Sequence, residues 1–203
     1  LRRVVFPQKK WIAFLKSSMF NRQHSFIMRP TSPYRLTVLV CLAEIFGLAS
    51  IAVFPALLPT FMTEWHLSHT EAGWISAAYY AGYMVLVPVL AGITDRMDAR
   101  KIMGLGALLG SLTALSFALL AQGFWSALIL RFLSGISLAG IYMPGLKVVS
   151  DHTEGTLQSR FISFYTASFS IGASLSYLLA GEINALAGWR WTFAASAAGA
   201  AVA

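Results

Sequence analysis

Six apolar runs joined by short charged connections leave this chain few folds to choose from. They lie at residues 36–62, 70–93, 102–121, 124–149, 161–186 and 189–203. A helix needs roughly 20 mostly apolar residues to cross ~30 Å of hydrocarbon. The first five runs meet that length. The sixth is still apolar at Ala203, where at 1.5 Å per residue it covers only ~22 Å. The expectation is therefore an all-α membrane protein, a bundle of six transmembrane helices with the last one incomplete. The chain reads as truncated inside that helix, because a helix end left in hydrocarbon strands its carbonyls. Only 11% of the residues are charged, against roughly 25% in soluble domains. So few charges suit lipid as the solvent.

The net charge of +7 would suit a nucleic-acid binder if it were spread along the fold. It is not. Residues 1–33 hold seven basic residues and no acid, while residues 34–203 hold eight of each sign. The excess is a basic tail before the first span, the pattern of a cytoplasmic N-terminus near anionic headgroups. Nucleic acid is excluded as a partner on this ground. With the N-terminus inside, thirteen of the fifteen Lys and Arg fall on the cytoplasmic side, Arg190 falls outside, and Arg131 lies within a span. This asymmetry sets the expected orientation in a cell (inner) membrane. Trp65, Trp74, Trp125, Trp189 and Trp191 fall near the expected outer ends, where indoles anchor at the interface.

The tail has no continuous apolar core before a small-residue cleavage site, so it does not read as a signal peptide. Met28 is a candidate start, since Met28-Arg29-Pro30 leads straight into the first span. The residues before it read either as an over-extended frame or as an amphipathic tail. The single cysteine, Cys41, allows neither an intrachain disulfide nor a cysteine metal site. Ser68-His69-Thr70-Glu71 has the spacing of a capping box at the start of the second span.

Small residues recur every four positions in two spans: Gly106, Gly110, Ala114 and Ala118, and Ser168, Gly172, Ser176 and Ala180. Such stripes let helix backbones approach closely in lipid and predict packing seams. The connection Ala91-Gly92-Ile93-Thr94-Asp95-Arg96-Met97-Asp98-Ala99-Arg100-Lys101 crowds five charges into seven positions. Positive-inside anchoring explains Arg100 and Lys101. It does not explain Asp95 at the end of a span, where a carboxylate needs partners.

These residues resemble the major facilitator superfamily, which carries a Gly-x-x-x-Asp-(Arg/Lys)-x-Gly-(Arg/Lys)-(Arg/Lys) signature between its second and third spans. Asp95 and Arg96 match its acid and base, and Arg100 and Lys101 match its basic pair. Ala91 stands at the leading glycine, with Gly92 one residue later, and Asp98-Ala99 replaces the inner glycine. Arg131-Phe132-Leu133-Ser134-Gly135 is similar to the family's intramembrane Arg-x-x-x-Gly element. The proline-containing antiporter signature has no match in the fifth span. The resemblance covers residues 34–203 and implies one half of a twelve-helix fold, built from inverted three-helix repeats, with the substrate site between the halves. Leu90-Ala91-Gly92 and Leu179-Ala180-Gly181 echo one another at matching places in the two repeats.

Glu44 is the one carboxylate well inside a span, and Arg131 the one base. A low dielectric penalises either charge, so such groups are commonly functional. The expected function is secondary active transport of a small solute by alternating access with proton coupling. Glu44 and Arg131 would share the cavity and be electrostatically coupled across a depth offset of ~10 Å, with Tyr142 lining the same path. Asp95 and Arg100 would latch to an acid after the fourth span, either Asp151 or Glu154. The expected partners are a small solute, protons, the lipid bilayer and the missing C-terminal half. No cofactor or metal is expected. The alternative is a non-transporting six-helix module that serves assembly. An enzyme reading fails: His24, His66, His69 and His152 all lie outside the spans, and no phosphate-cradling Gly-x-x-x-x-Gly-Lys-(Ser/Thr) loop is present.

Overall fold

A computed structural model describes residues 32–94 and 96–203, apart from the side chain of Ala91. Residues 1–31, including Met28, and Asp95 lie outside the described residues. All regular structure among the described residues is helical. In chain order the helices are α1 (Pro33–Gly47), α2 (Val53–Ala56), α3 (Leu58–Glu64), α4 (His69–Ile93), α5 (Ala99–Leu120), α6 (Phe124–Asp151), α7 (Gly155–Ala187) and α8 (Trp189–Val202). Four of them, α4 to α7, are long and apolar enough to cross a membrane. The six expected spans thus resolve into four such helices, a first run broken into α1, α2 and α3, and α8, which is 14 residues long.

The first apolar run, residues 36–62, is not one uninterrupted helix, and the cause of the break is in the sequence. Pro55 has no N–H, so the carbonyl four residues earlier, at Ile51, loses its helical donor, and the ring crowds that turn. Residues 48–52 pass through turns instead, with Ala49 N–H bonded to Phe46 O at 3.1 Å and Ile51 N–H to Leu48 O at 2.9 Å. Pro59 then opens α3, where a missing N–H costs nothing.

Local chemistry sets the other boundaries. Ser68 and Glu71 form the expected capping box at α4: Ser68 N–H donates to Glu71 Oε2 at 2.8 Å, and Glu71 N–H donates to Ser68 Oγ at 3.3 Å. Asp98 caps α5 by accepting from Arg100 N–H at 2.9 Å. Gly188 turns the chain between α7 and α8 at φ 87°, a left-handed conformation that favours glycine.

The packing follows the small-residue stripes. Every member of both stripes is buried. α4 packs on α6, α5 on α6 and α8, and α7 on α1 and α8. At the closest crossings glycine is obligatory. A Cβ at Gly106 would lie 2.6 Å from the backbone of Gly140, and one at Gly82 or Gly135 would run into the carbonyl of Phe132 or Tyr79. One end of the bundle is filled by Phe54, Phe61, Phe117, Trp189 and Phe193, with Phe117 stacked on Phe193 at 4.1 Å. Trp189 belongs to this core rather than to the interface. It is 6% exposed, and its indole N–H donates to Glu64 Oε2 at 2.8 Å. Trp74, Trp125 and Trp191 are exposed, as interfacial anchors require.

Candidate functional site

The break in the first run is where chemistry-bearing side chains gather. Open backbone groups inside an apolar bundle must find partners, because hydrocarbon offers none. Arg131, on α6, supplies two. Its guanidinium nitrogens Nη1 and Nη2 donate to the carbonyls of Ser50 at 3.5 Å and Ile51 at 3.4 Å. The second is the carbonyl that Pro55 leaves without a helical donor. Ser176, on α7, supplies the rest. Its hydroxyl donates to the Ala49 carbonyl at 2.7 Å and accepts from Ala52 N–H at 3.1 Å. One hydroxyl is thereby inserted between two backbone groups of the broken turn, and two neighbouring helices hold the turn open.

Arg131 is 3% exposed. Its charge is offset by the face of Tyr79 at 4.2 Å and of Phe54 at 5.5 Å. Its Nε has no hydrogen-bond partner among the described residues. A buried guanidinium so held costs desolvation energy and fixes geometry at the same time.

Glu44 sits near the end of α1, fully buried. Ser168 Oγ, on α7, is hydrogen-bonded to Glu44 Oε2. Glu44 Oε1 has no hydrogen-bond partner among the described residues. Among the described residues no ion pair joins Glu44 to Arg131. Arg131 reaches the chain six and seven residues beyond Glu44, which leaves each group a separate set of contacts. The two are brought to one region, on either side of the break. Tyr142 is half-buried beside them, with its ring 5.7 Å from Tyr165 and 5.5 Å from Phe169. Tyr142, Tyr83 and Phe169 pack against the patch of Leu48, Ile51, Tyr79 and Leu138, so an aromatic wall lines the break.

The charged connections meet at the opposite end of α6 from Phe124. Arg100 Nη2 donates to His152 Nε2 at 3.0 Å, while Asp151 pairs with Lys147 at 3.5 Å. Among the described residues Arg100 thus meets the end of α6 at His152, not at Asp151 or Glu154, the acids expected to receive it. Glu154 is exposed at the start of α7, where its side chain makes no cap. Arg96 is exposed, Lys101 is exposed, and Gly92 has open space where a Cβ would stand. Asp95, the acid of the motif, lies outside the described residues.

Sequence reasoning passed over Ser168 and Ser176, treating them as members of a packing stripe. Both are hydrogen-bonded across it. It also passed over Pro55 and His152. The signal available was a proline in the middle of an apolar run, which frees one carbonyl at a known position. An apolar groove of about 360 Å³ lies between α4 and α6, lined by Trp74, Ala81, Ile129, Phe132 and similar side chains. Neither Glu44 nor Arg131 lines it. No cluster of side chains able to hold a metal ion occurs among the described residues.

Comparison with known proteins adds two kinds of match. A family model described as "Major Facilitator Superfamily" matches residues 39–203. The chain is 28% identical to "Protein spinster homolog 1" of Xenopus tropicalis over 137 residues, 66% of this chain and 26% of that protein. It is 26% identical to "Probable sphingolipid transporter spinster homolog 1" of Arabidopsis thaliana over 134 residues, 64% of this chain and 26% of that protein. It is 23% identical to "Benzoate transport protein" of Acinetobacter baylyi over 164 residues, 79% of this chain and 35% of that protein. The chain spans about a quarter to a third of the length of these curated relatives.

Proposed function

Because the chain belongs to the Major Facilitator Superfamily, we propose that it forms part of a secondary active transporter, one that moves a small solute by alternating access with proton coupling. The observation that carries this reading is the broken first run. A helix interrupted in mid-span, with its open carbonyls held by a buried arginine from another helix, is a backbone that can be re-formed without unfolding the bundle. Interrupted helices of this kind commonly form the substrate and ion sites of secondary transporters.

In this reading Arg131 holds the break, Glu44 takes up and releases the proton, and Tyr142 lines the path. Asp95, Arg96, Arg100 and Lys101 form a cytoplasmic latch with the end of α6, where Arg100 meets His152 beside Asp151 and Glu154. The latch biases one conformation. A weak, partly exposed contact suffices, since a small bias shifts a two-state equilibrium. The N-terminus and the second connection face the cytoplasm.

The helix pairing supports an inverted repeat within residues 34–203, half of a twelve-helix transporter. α4 leans on α6 as α7 leans on α1, and α5 packs on α6 as α8 packs on α1. Pro55 and Pro144 stand 89 residues apart, the same offset as Leu90-Ala91-Gly92 and Leu179-Ala180-Gly181. The solute class follows from the aromatic wall beside one buried cation and one buried carboxylate. That setting suits a small molecule with an apolar body and a polar head. A relative named for a sphingolipid and another named for benzoate are consistent with such a molecule.

The test is uptake into proteoliposomes of the whole protein under an imposed pH gradient. Benzoate and a short-chain amphiphile serve as radiolabelled probes, and an entrapped dye reads proton movement. Proton flux that rises with a probe and vanishes in Glu44→Gln is the expected result. Solute uptake indifferent to the gradient would remove the coupling. No flux of any probe would favour a membrane module that serves assembly.

A further inference from the structure

The Ser168 hydroxyl carries one proton and faces two acceptors. Its oxygen is hydrogen-bonded to Glu44 Oε2 on one side and lies 2.7 Å from the Tyr165 carbonyl on the other. A hydroxyl donates once and accepts twice. Both contacts are hydrogen bonds at the same time only when the carboxyl provides the second proton. Glu44 O–H then donates to Ser168 Oγ, and Ser168 O–H donates to the Tyr165 carbonyl. An ionised Glu44 can only accept. Ser168 must then turn its proton to Glu44, and its bond to the α7 backbone is lost.

We propose that Ser168 is the positioning residue for the proton on Glu44: its hydroxyl swaps partners between Glu44 and the Tyr165 carbonyl as that proton leaves and returns. This rests on the proton-carrying role proposed for Glu44. The step balances. The O–H bond of Glu44 breaks, the proton passes to water in the transport path, and the electron pair stays on the carboxylate. The Ser168 proton never leaves its oxygen; only its hydrogen bond moves. The device links proton occupancy on α1 to the backbone of α7, the helix whose Ser176 props open the break two turns further on.

The surroundings leave Ser168 alone in this task. It is 4% exposed, and it is the one hydrogen-bond partner of the Glu44 carboxyl group among the described residues. From α1, the Cys41 thiol approaches the same hydroxyl. Tyr165 of α7, Tyr142 of α6 and Tyr83 of α4 share the electrostatic neighbourhood. Thiols and phenols are uncharged near neutral pH, so none neutralises a carboxylate. Arg131 is engaged at the break, Arg190 of α8 on the Ala118 carbonyl, and Arg100 of α5 on His152.

The experiment measures the pH profile of proton-coupled uptake by the whole protein in vesicles, for wild type, Ser168→Ala, Ser168→Thr and Glu44→Gln. Infrared spectra of the purified proteins record the band of the protonated Glu44 carboxyl. A charge-assisted hydrogen bond is stronger than a neutral one. Removing the hydroxyl therefore disfavours the carboxylate more than the acid. Ser168→Ala should move the profile to higher pH by about one unit and raise the carboxyl frequency. Ser168→Thr, which keeps the hydroxyl, should restore both. A Ser168→Ala profile and band identical to wild type, while Glu44→Gln abolishes the pH dependence, would overturn the proposal and leave the proton carrier standing. A wild-type pH profile in Glu44→Gln would overturn both.

Discussion

The claim that Arg131 replaces the hydrogen bond Pro55 cannot make is open to a thermodynamic cycle. Arg131→Gln withdraws both donors, since the shorter side chain cannot reach the carbonyls of Ser50 and Ile51. A buried carbonyl left unsatisfied costs about 1–3 kcal/mol, so two cost about 2–6 kcal/mol. Removing a buried guanidinium, however, also relieves a desolvation penalty of several kcal/mol. The single variant thus mixes two opposed effects and decides nothing. Pro55→Ala separates them. It returns an N–H at position 55, which can donate to Ile51 O in helical register and makes half of the arginine's work redundant. The desolvation relief is the same on both backgrounds and cancels in the cycle. The cost of Arg131→Gln should therefore be smaller by about 1–3 kcal/mol in the Pro55→Ala background, the worth of one carbonyl. Reversible unfolding of the whole protein in mixed micelles gives the four free energies. Hydrogen exchange at residues 48–56 shows whether the helix has re-formed. Additive effects within about 0.5 kcal/mol would refute the reasoning, because the two side chains would then not share a carbonyl.

Further outcomes follow from other contacts. A cysteine placed beside His66 should react with an impermeant reagent added outside intact cells, and one at Asp98 should not; the reverse pattern would invert the proposed orientation. Gly82→Ala should destabilise the bundle by about 1–3 kcal/mol, as overpacking does, because its Cβ meets the Phe132 carbonyl, whereas Gly92→Ala should be close to neutral in the same unfolding assay. His152 Nδ1 lies 2.8 Å from the Val148 carbonyl and donates there, so Nε2 is the acceptor for Arg100. His152→Ala removes that acceptor, so distances measured by spin labels across the connection should widen in the variant, and unchanged distances would remove His152 from the contact. Asp95→Asn should slow transport while leaving insertion intact, and unchanged rates at several solute concentrations would remove Asp95 from the latch.

What was legible in the sequence is what lipid dictates uniformly. Helix length, the charge asymmetry of connections and the four-residue period of small side chains are each set by the bilayer or by backbone approach. They can be read without tertiary knowledge. The seams at Gly106–Ala118 and Ser168–Ala180 fall where the period puts them. Glu44 and Arg131 stand out because a charge in hydrocarbon is costly wherever it lies. Their partners do not stand out. Ser168 and Ser176 satisfy the size rule of the stripe as well as Gly172 does, and only the neighbouring helix shows that two of these small residues carry hydroxyls into reach of Glu44 and of the broken turn. The same holds for Trp189. A tryptophan near a helix end suits an interface, yet Glu64 on α3 gives its N–H a partner inside the bundle.

Proline alone does not explain the break. Pro88 lies inside α4 and Pro144 inside α6, and both helices run on without interruption. Each proline frees a carbonyl four residues earlier, at Met84 and Gly140. The difference lies in what the neighbours offer. At the first run three groups converge on one turn: two guanidinium nitrogens and a hydroxyl that both donates and accepts. Among the described residues no comparable set of side-chain donors meets Met84 or Gly140. A helix in lipid opens where its backbone groups can be satisfied by side chains, and otherwise it bends around its proline and keeps the remaining bonds. Pro55 thus makes the break possible, and Arg131 and Ser176 make it stable. That division assigns the polar residues of α6 and α7 a joint role. They set the conformation of a third helix, and the proposed transport cycle would act by changing which of these contacts are made.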